Sequence, residues 1–118
     1  MEDLISILFH SRTQAHAFHL ATDSYAQHVA LQKYYDGIVD LADGIAESWQ
    51  GKYGKLTLKG VSGLEPYSDV EGCIAYFEKV LKLVAEKRKP IKESYIQNQI
   101  DTVEQLLYST IYLLKELH

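Results

Sequence analysis

The sequence predicts an all-α protein, a single domain over residues 1–118 that folds as an antiparallel bundle of four helices. Apolar residues recur every three or four positions along four segments, which is the period of an amphipathic helix. Serine-led capping boxes and a proline mark where these segments begin. A chain of 118 residues is long enough to bury one hydrophobic core without disulfides. The predicted helices cover residues 3–20, 25–50, 69–88 and 90–117.

The first two helices are predicted on either side of a short polar turn. Leu4, Ile5 and Leu8 give the first helix its apolar face. Ser24 and Gln27 match the capping box Ser-x-x-Gln at the start of the second helix. The expected buried stripe of the second helix follows the helical period: Leu31, Tyr35, Ile38, Ala42, Ile45 and Trp49.

Two glycines, Gly37 and Gly44, lie inside the second helix, where each costs ~1 kcal/mol relative to alanine. Small residues at these positions are expected to let another helix approach closely. Four tyrosines are interpreted as packing or interface groups: Tyr34, Tyr35, Tyr108 and Tyr112.

A glycine-rich connection of residues 51–67 is expected between the second and third helices. Leu56 and Leu58 alternate with polar residues, so this part is expected to be extended and packed on one side. About sixteen extended residues span the ~30–40 Å length of a bundle. The connection therefore permits a crossover from one end of the bundle to the other, but does not require one.

The third and fourth helices are predicted around a basic run and a proline. Ser68 and Glu71 match a second capping box, at the start of the third helix. The basic residues 87–89 favour a helix C-terminus, and Pro90 is expected at the first position of the fourth helix. The apolar faces of these helices are Val70, Ile74, Phe77, Leu81 and Val84, and then Tyr95, Ile100, Val103, Leu107, Ile111 and Leu114.

Composition and charge exclude several classes of function. The formal net charge of −4 argues against non-specific nucleic-acid binding through a basic surface. Cys73 is the only cysteine, so no intrachain disulfide forms, and we expect a small buried residue without a redox role. The acidic first residues lack the basic region of a signal peptide, and no segment approaches the ~20 apolar residues of a membrane span. We expect a cytoplasmic protein with no membrane partner.

Four side chains with metal-binding chemistry stand out: His16, His28, Asp43 and Glu47. Two imidazoles and two carboxylates form a mixed nitrogen and oxygen donor set that suits iron, zinc or manganese. Asp43 and Glu47 are four residues apart, so they share one face of the second helix. His28 and Asp43 lie on that same helix, however, and fifteen residues at ~1.5 Å each separate them by roughly 22 Å. Either the four residues are unrelated, or a second copy of the protein completes the site.

An acidic stripe on the second helix favours a cationic partner. Its members are Asp36, Asp40, Asp43 and Glu47. Neighbouring carboxylates repel one another unless a metal ion or the cations of a partner subunit lie against them. A solvated surface is the commoner explanation for any single member. His10, His19 and His118 are interpreted as surface or hydrogen-bonded residues. His19 lies one turn from His16, so an additional role as a metal ligand is the alternative for this residue. No glutamate is followed by histidine three residues later, so a di-iron centre within one bundle is not expected.

The four candidate ligands resemble the ferroxidase site of the Dps family, the miniferritins of the ferritin-like superfamily named as DNA-binding proteins from starved cells. The strings at residues 24–28 and 43–47 also resemble the second helix of that family, and the similarity covers about residues 4–50. The resemblance implies a ferritin-like antiparallel four-helix bundle with a crossover loop between the second and third helices. It also implies that the two histidines of one subunit hold iron together with the two carboxylates of its two-fold mate. Compact relatives of this kind occur among tailed-phage proteins, and the short chain suits one.

The function implied by the resemblance is oxidation of Fe(II), with hydrogen peroxide as the expected oxidant, for iron sequestration or peroxide protection. The implied assembly is a homo-oligomer, at least a two-fold dimer with shared metal sites. Glu47 is placed to bridge two irons. The alternatives are a site with one iron, or zinc or manganese in place of iron.

Three positions depart from the family pattern and support an alternative. Ala17 stands where a tryptophan usually follows the first histidine, and Val29 and Gln32 stand where acidic residues often follow the second. The alternative is a helical interaction module that kept the fold and lost the chemistry, such as a phage-encoded regulator or structural dimer in the host cytoplasm. A direct DNA binder is a third hypothesis, which the charge balance disfavours.

Overall fold

The computed structural model describes residues 1–60 and 63–116, which form four α-helices and no strand. The helices are α1 (Glu2–Ala21), α2 (Tyr25–Tyr53), α3 (Val70–Arg88) and α4 (Ser94–Glu116). The predicted all-α four-helix bundle is confirmed. The predicted last residue of the fourth helix, residue 117, and His118 lie outside the described residues. No helix in the described part of the chain is long and apolar enough to cross a membrane.

Each helix has two antiparallel neighbours. α1 packs against α2 and α3, and α4 packs against the same two helices. Near the end of α1, the ring of Phe18 contacts that of Tyr76 near the start of α3, with centroids 5.8 Å apart. Near the start of α1, Asp3 forms an ion pair with Lys87 near the end of α3 (3.2 Å). α1 and α3 are therefore antiparallel, and α2 and α3 run parallel at opposite corners, as in ferritin-like bundles with one long crossover.

The crossover between α2 and α3 lies along α1. The α1 side chains that hydrogen-bond to it recur every fourth residue: Glu2, Ser6, His10 and Gln14. Their partners on the crossover follow in the same order along the chain: Thr57, Lys59, Gly63 and Glu65. At the far end, the hydroxyl of Tyr67 donates to Oε1 of Gln27 on α2 (3.0 Å). The described parts of the connection, up to residue 60 and from residue 63, thus lie along the length of α1, and the expected crossover between α2 and α3 is present.

The predicted capping residue of α2 is confirmed, and that of α3 is wrong. Ser24 caps α2, and its hydroxyl oxygen accepts from the backbone N–H of Gln27 (3.2 Å). The second bond of the predicted α2 box is replaced, because the backbone N–H of Ser24 donates to Oγ1 of Thr22 (3.2 Å) rather than to the side chain of Gln27. At α3, the predicted box of residues 68–71 is replaced by the carboxylate of Asp69, which accepts from the N–H of Gly72 (2.8 Å). A carboxylate at the first turn also stabilises the positive end of the helix dipole, which a serine hydroxyl does not do.

Two other helix ends differ from the predicted positions. α2 continues three residues further, to Tyr53, and ends where Gly54 adopts a φ of 96°, a conformation that favours glycine. α4 begins at Ser94, so the prediction of Pro90 as its first residue is wrong. Ile91 is buried in the core, and the residues before α4 form the turn that carries it there.

The core lies between the four helices and is built mainly from the predicted apolar faces. The prediction of Tyr95 on the apolar face of α4 is wrong, because its side chain is exposed. Three residues of the predicted α3 face are only half-buried: Val70, Ile74 and Leu81. Four of the six residues in the predicted α2 stripe are buried, and Tyr35 and Trp49 are half-buried. Tyr34 is fully buried; its hydroxyl bonds to that of Ser11 (2.7 Å), and burial raises the pKa of the phenol. Cys73 is buried as predicted, and burial raises the pKa of its thiol to about 12.

The two glycines inside α2 face α4. A Cβ atom at Gly37 would lie 3.3 Å from Cδ2 of Leu106, and one at Gly44 would lie 3.5 Å from Nε2 of Gln99. The expectation that small residues here permit close approach of another helix is confirmed.

Candidate metal centre

The histidine end of the candidate site lies at the junction of α1 and α2. His19 is in the last turn of α1 and His28 is in the first turn of α2. Their rings stack with centroids 3.5 Å apart and an interplanar angle of 23°. Nδ1 of His19 lies 2.7 Å from the backbone oxygen of His28, and Nδ1 of His28 lies 2.9 Å from the backbone oxygen of His19. These reciprocal hydrogen bonds fasten the two helices to each other.

The same hydrogen bonds fix which ring nitrogen carries the proton. A carbonyl oxygen accepts and never donates, so both Nδ1 atoms are assigned as N–H donors. In the neutral imidazole, the other nitrogen, Nε2, then carries a free lone pair. A backbone carbonyl on Nδ1 is also a usual outer contact of a histidine that binds a metal through Nε2. His28, a predicted ligand, is thus held in the tautomer that metal binding through Nε2 requires.

His16 completes a cluster of three imidazoles. Its ring stacks on that of Tyr35 with centroids 4.4 Å apart and lies edge-on to His19 at 5.8 Å. The structure therefore brings the predicted pair His16 and His28 to one junction, with His19 between them. His19 is hydrogen-bonded, as interpreted from the sequence. The sequence signal for its place beside His16 is the three-residue spacing, which puts both on one face of α1.

The carboxylate end of the candidate site lies in the second half of α2. Asp43 and Glu47 are exposed and share one face of the helix. α2 is unbroken from His28 to Asp43, so roughly 22 Å separates the two residues along the helix axis. Within residues 1–60 and 63–116 of a single copy, no three His, Cys, Asp or Glu side chains converge where they could hold a metal ion. The predicted histidines are brought together, and the carboxylates are not brought to them.

A different carboxylate, near the end of α2, is engaged within the chain. Glu93, in the turn before α4, is buried and accepts hydrogen bonds from the hydroxyl of Tyr53 and from Nζ of Lys52 (3.0 Å). The bond from Tyr53, followed by that from the Lys52 ammonium, lowers the pKa of Glu93 to about 2. Sequence reasoning missed this cluster because it placed Lys52 and Tyr53 in the connection rather than on α2.

His10 is hydrogen-bonded, as interpreted from the sequence, although its partners were not predicted. Its Nε2–H donates to the backbone oxygen of Gly63 (2.7 Å), and its Nδ1 accepts from the hydroxyl of Tyr76 (2.7 Å). Since both ring nitrogens are engaged, His10 has no free lone pair for a metal. It fastens the crossover to α1 and α3.

A known protein family covers most of the chain. A family model described as a family of unknown function (DUF5856) matches residues 19–114. The chain belongs to that family. No curated protein and no solved structure matches the chain. The DUF5856 match includes three of the four candidate ligands, all except His16.

Proposed function

We propose that the protein binds Fe(II) at a site shared by two copies of the chain and oxidises it. In this site, His16 and His28 of one copy hold iron together with Asp43 and Glu47 of the other. The observation that carries the proposal is the hydrogen bond from Nδ1–H of His28 to the backbone oxygen of His19 (2.9 Å), which leaves Nε2 free for a metal. The proposed assembly is at least a two-fold dimer with two equivalent sites.

The length of α2 supports a shared site. α2 is one helix from Tyr25 to Tyr53, and roughly 22 Å separates His28 from Asp43 along it. Bonds from a metal to nitrogen or oxygen ligands are about 2 Å long, so one ion cannot contact both side chains of the same copy. A two-fold axis across α2 places the carboxylates of one copy beside the imidazoles of the other.

The donor set suits iron and the chemistry of its oxidation. Carboxylates favour Fe(III) over Fe(II) because their negative charge stabilises the more highly charged product. Two Fe(II) ions each lose one electron to one molecule of hydrogen peroxide, which takes up two protons and becomes two molecules of water. Imidazole and carboxylate also suit zinc and manganese, so the same side chains are expected to bind these ions in competition with iron.

A second candidate function, a helical module that binds another protein, is favoured by exposed tyrosines on α4. Tyr108 and Tyr112 are one turn apart, and their side chains are 63% and 64% exposed. Tyrosine is enriched in protein interfaces relative to the rest of the surface. If this is the function, the protein retains no Fe(II).

Anaerobic titration with Fe(II), followed by the absorbance of Fe(III) after addition of hydrogen peroxide, tests the iron proposal. Wild-type protein is expected to bind and oxidise Fe(II), and His28→Ala is expected to weaken binding by about a hundredfold or more. His10→Gln is the matched control, because it removes a histidine whose ring nitrogens are both engaged elsewhere. It is expected to bind iron like the wild type. Equal Fe(II) binding by wild type and His28→Ala would contradict the proposal.

A further inference from the structure

The shared site of the proposed function, on which the following pairing rests, fixes how two copies of α2 face each other. In two antiparallel helices related by a two-fold axis, residues at the same level have sequence numbers with a constant sum. That sum is 71 if His28 faces Asp43 and 75 if His28 faces Glu47. Residues of the two copies that face each other across α2 therefore have numbers that add up to about 73.

We propose that Lys33 of each copy forms an ion pair with Asp40 of the partner subunit. The two sequence numbers add up to 73, the centre of that range. Both side chains are exposed, and within residues 1–60 and 63–116 neither forms an ion pair in its own copy. A second copy supplies each of them with the opposite charge that its own copy does not provide.

Lys33 and Asp40 also lie on the same side of α2. They alternate with two glycines, in the order Lys33, Gly37, Asp40 and Gly44, at helical spacings of four, three and four residues. The two glycines face α4. The row of four residues therefore runs along the side of α2 next to α4, at the edge of the exposed face. A two-fold axis perpendicular to both helices joins this edge of one copy to the same edge of the other. Lys33 of one copy and Asp40 of the other therefore lie at the same height and on the same side of the interface. The two-fold symmetry forms this pair twice in each dimer.

The charge of Asp36 is expected to weaken the same dimer. Its side chain is exposed, and twice its sequence number is 72, so it lies within one residue of the two-fold axis. The two Asp36 carboxylates of a dimer then face each other with like charge, which weakens association. Neutralising Asp36 is expected to strengthen the dimer, by about threefold in the dissociation constant.

Charge exchange tests the pair independently of metal. Sedimentation equilibrium in the presence of a chelator measures the dissociation constant of the dimer. Lys33→Glu and Asp40→Lys are each expected to raise it about tenfold or more, because two attractions become two repulsions. The combined exchange restores both attractions and is expected to return the constant to within about threefold of wild type. Lys79→Glu, a charge reversal at an exposed position of α3, is the control and is expected to leave it unchanged.

A cysteine at the axis tests the register directly. Asp36→Cys brings two thiols together only if residues whose numbers add up to about 73 face each other. Mild oxidation is expected to yield a disulfide-linked dimer. Glu71→Cys, at an exposed position on α3, is expected to stay unlinked under the same conditions. Cys73 is left in place because it is buried.

The outcomes separate this pairing from the proposed function. A dimer that is rescued by the combined exchange but binds no Fe(II) would support the pairing and overturn the proposed function. If neither single exchange changes the dissociation constant of the dimer, the pairing is overturned. Iron binding that depends on His28 would be compatible with that result. A chain that stays monomeric with chelator and with Fe(II) would overturn both.

Discussion

The two ends of the exposed face of α2 differ in how firmly their side chains are held. At one end, the His28 ring is fixed by reciprocal hydrogen bonds with His19 and by stacking on it. About four turns further along, Asp43 and Glu47 are exposed, and neither forms an ion pair in the described part of the chain. One half of the candidate site is thus preorganised within a copy, whereas the other half is free to adjust to a partner. Substitutions at the two ends should therefore slow iron oxidation equally, but they should change the free energy of unfolding by different amounts.

The largest expected effect is on iron oxidation, and the same variants show whether the two ends differ in stability. His28→Ala, and Asp43→Asn combined with Glu47→Gln, are each expected to slow peroxide-dependent iron oxidation by about a hundredfold or more. His28→Ala also removes a hydrogen bond and a stacked ring, at an expected cost of about 1–3 kcal/mol in the free energy of unfolding. The carboxylate substitutions remove no ion pair in the part of the chain that the structure describes, so they are expected to change it by less than about 0.5 kcal/mol. Urea unfolding and the oxidation assay on the same preparations measure both quantities. Equal destabilisation at the two ends would contradict the comparison.

The next effect concerns the crossover, which holds α1 near the histidine end. Gln14 is fully buried, and its side-chain amide bonds to both the backbone N–H (2.7 Å) and the backbone oxygen (2.9 Å) of Glu65. Gln14→Ala removes both hydrogen bonds of a fully buried side chain, and is expected to cost about 1–3 kcal/mol in urea unfolding. Ser6→Ala, which removes a single exposed bond of 3.4 Å, is the control, with an expected change below about 0.5 kcal/mol. Similar costs for both would show that the crossover is not fastened through Gln14.

The third effect contrasts the engaged carboxylate of Glu93 with the unengaged ones of α2. The pKa of Glu93 is lowered from 4.5 to about 2 by Tyr53 and Lys52, so its ionised form stabilises the fold. That contribution is complete above about pH 4.5 and is lost as the pH falls towards 2. Unfolding free energies measured across this window should therefore fall more steeply for the wild type than for Glu93→Gln. Tyr53→Phe removes the hydrogen bond that lowers the pKa of Glu93 most. The slope of its unfolding free energy against pH is expected to lie between those of the wild type and Glu93→Gln. Parallel curves for wild type and Glu93→Gln would contradict the assigned pKa.

The smallest expected effect compares the two glycines of α2. At Gly44 an added methyl group makes ordinary contact at 3.5 Å, so Gly44→Ala is expected to stabilise the protein by about 0.5–1 kcal/mol through helix propensity. At Gly37 the methyl group would press against Leu106 at 3.3 Å, which offsets the gain, and a change below about 0.5 kcal/mol is expected. Thermal unfolding measures both. A larger gain at Gly37 than at Gly44 would mean that α4 is not tightly packed there.

The parts of the fold that the sequence predicted are those set by local interactions. The four helices follow from apolar residues at helical spacing, and the cap at Ser24 involves residues three apart. The fastening of the crossover was not predictable, because Gln14 and Glu65 are far apart in the chain and neither residue alone indicates the contact. The cap of α3 was misplaced because Asp69 and Ser68 are adjacent capping residues, and backbone geometry decided between them.

The candidate site divides in the same way. The spacing of His28, Asp43 and Glu47 placed them on one helix, and the distance between the two ends follows from helix geometry alone. The pairing of His28 with His19 could not be predicted, because each ring bonds to a backbone oxygen on the other helix. Such a bond depends on the exact geometry of the turn between the helices rather than on residue type.

Complementation between two inactive variants tests most directly whether the site is shared between copies. His28→Ala retains both carboxylates, and Asp43→Asn with Glu47→Gln retains both histidines, so a mixed dimer contains one intact site. With the two variants co-expressed at equal levels, about a quarter of the wild-type iron oxidation is expected, since half of the dimers are mixed and each has one of two sites intact. No recovery of iron oxidation in a sample whose mixed dimers are verified by native mass spectrometry would contradict a shared site.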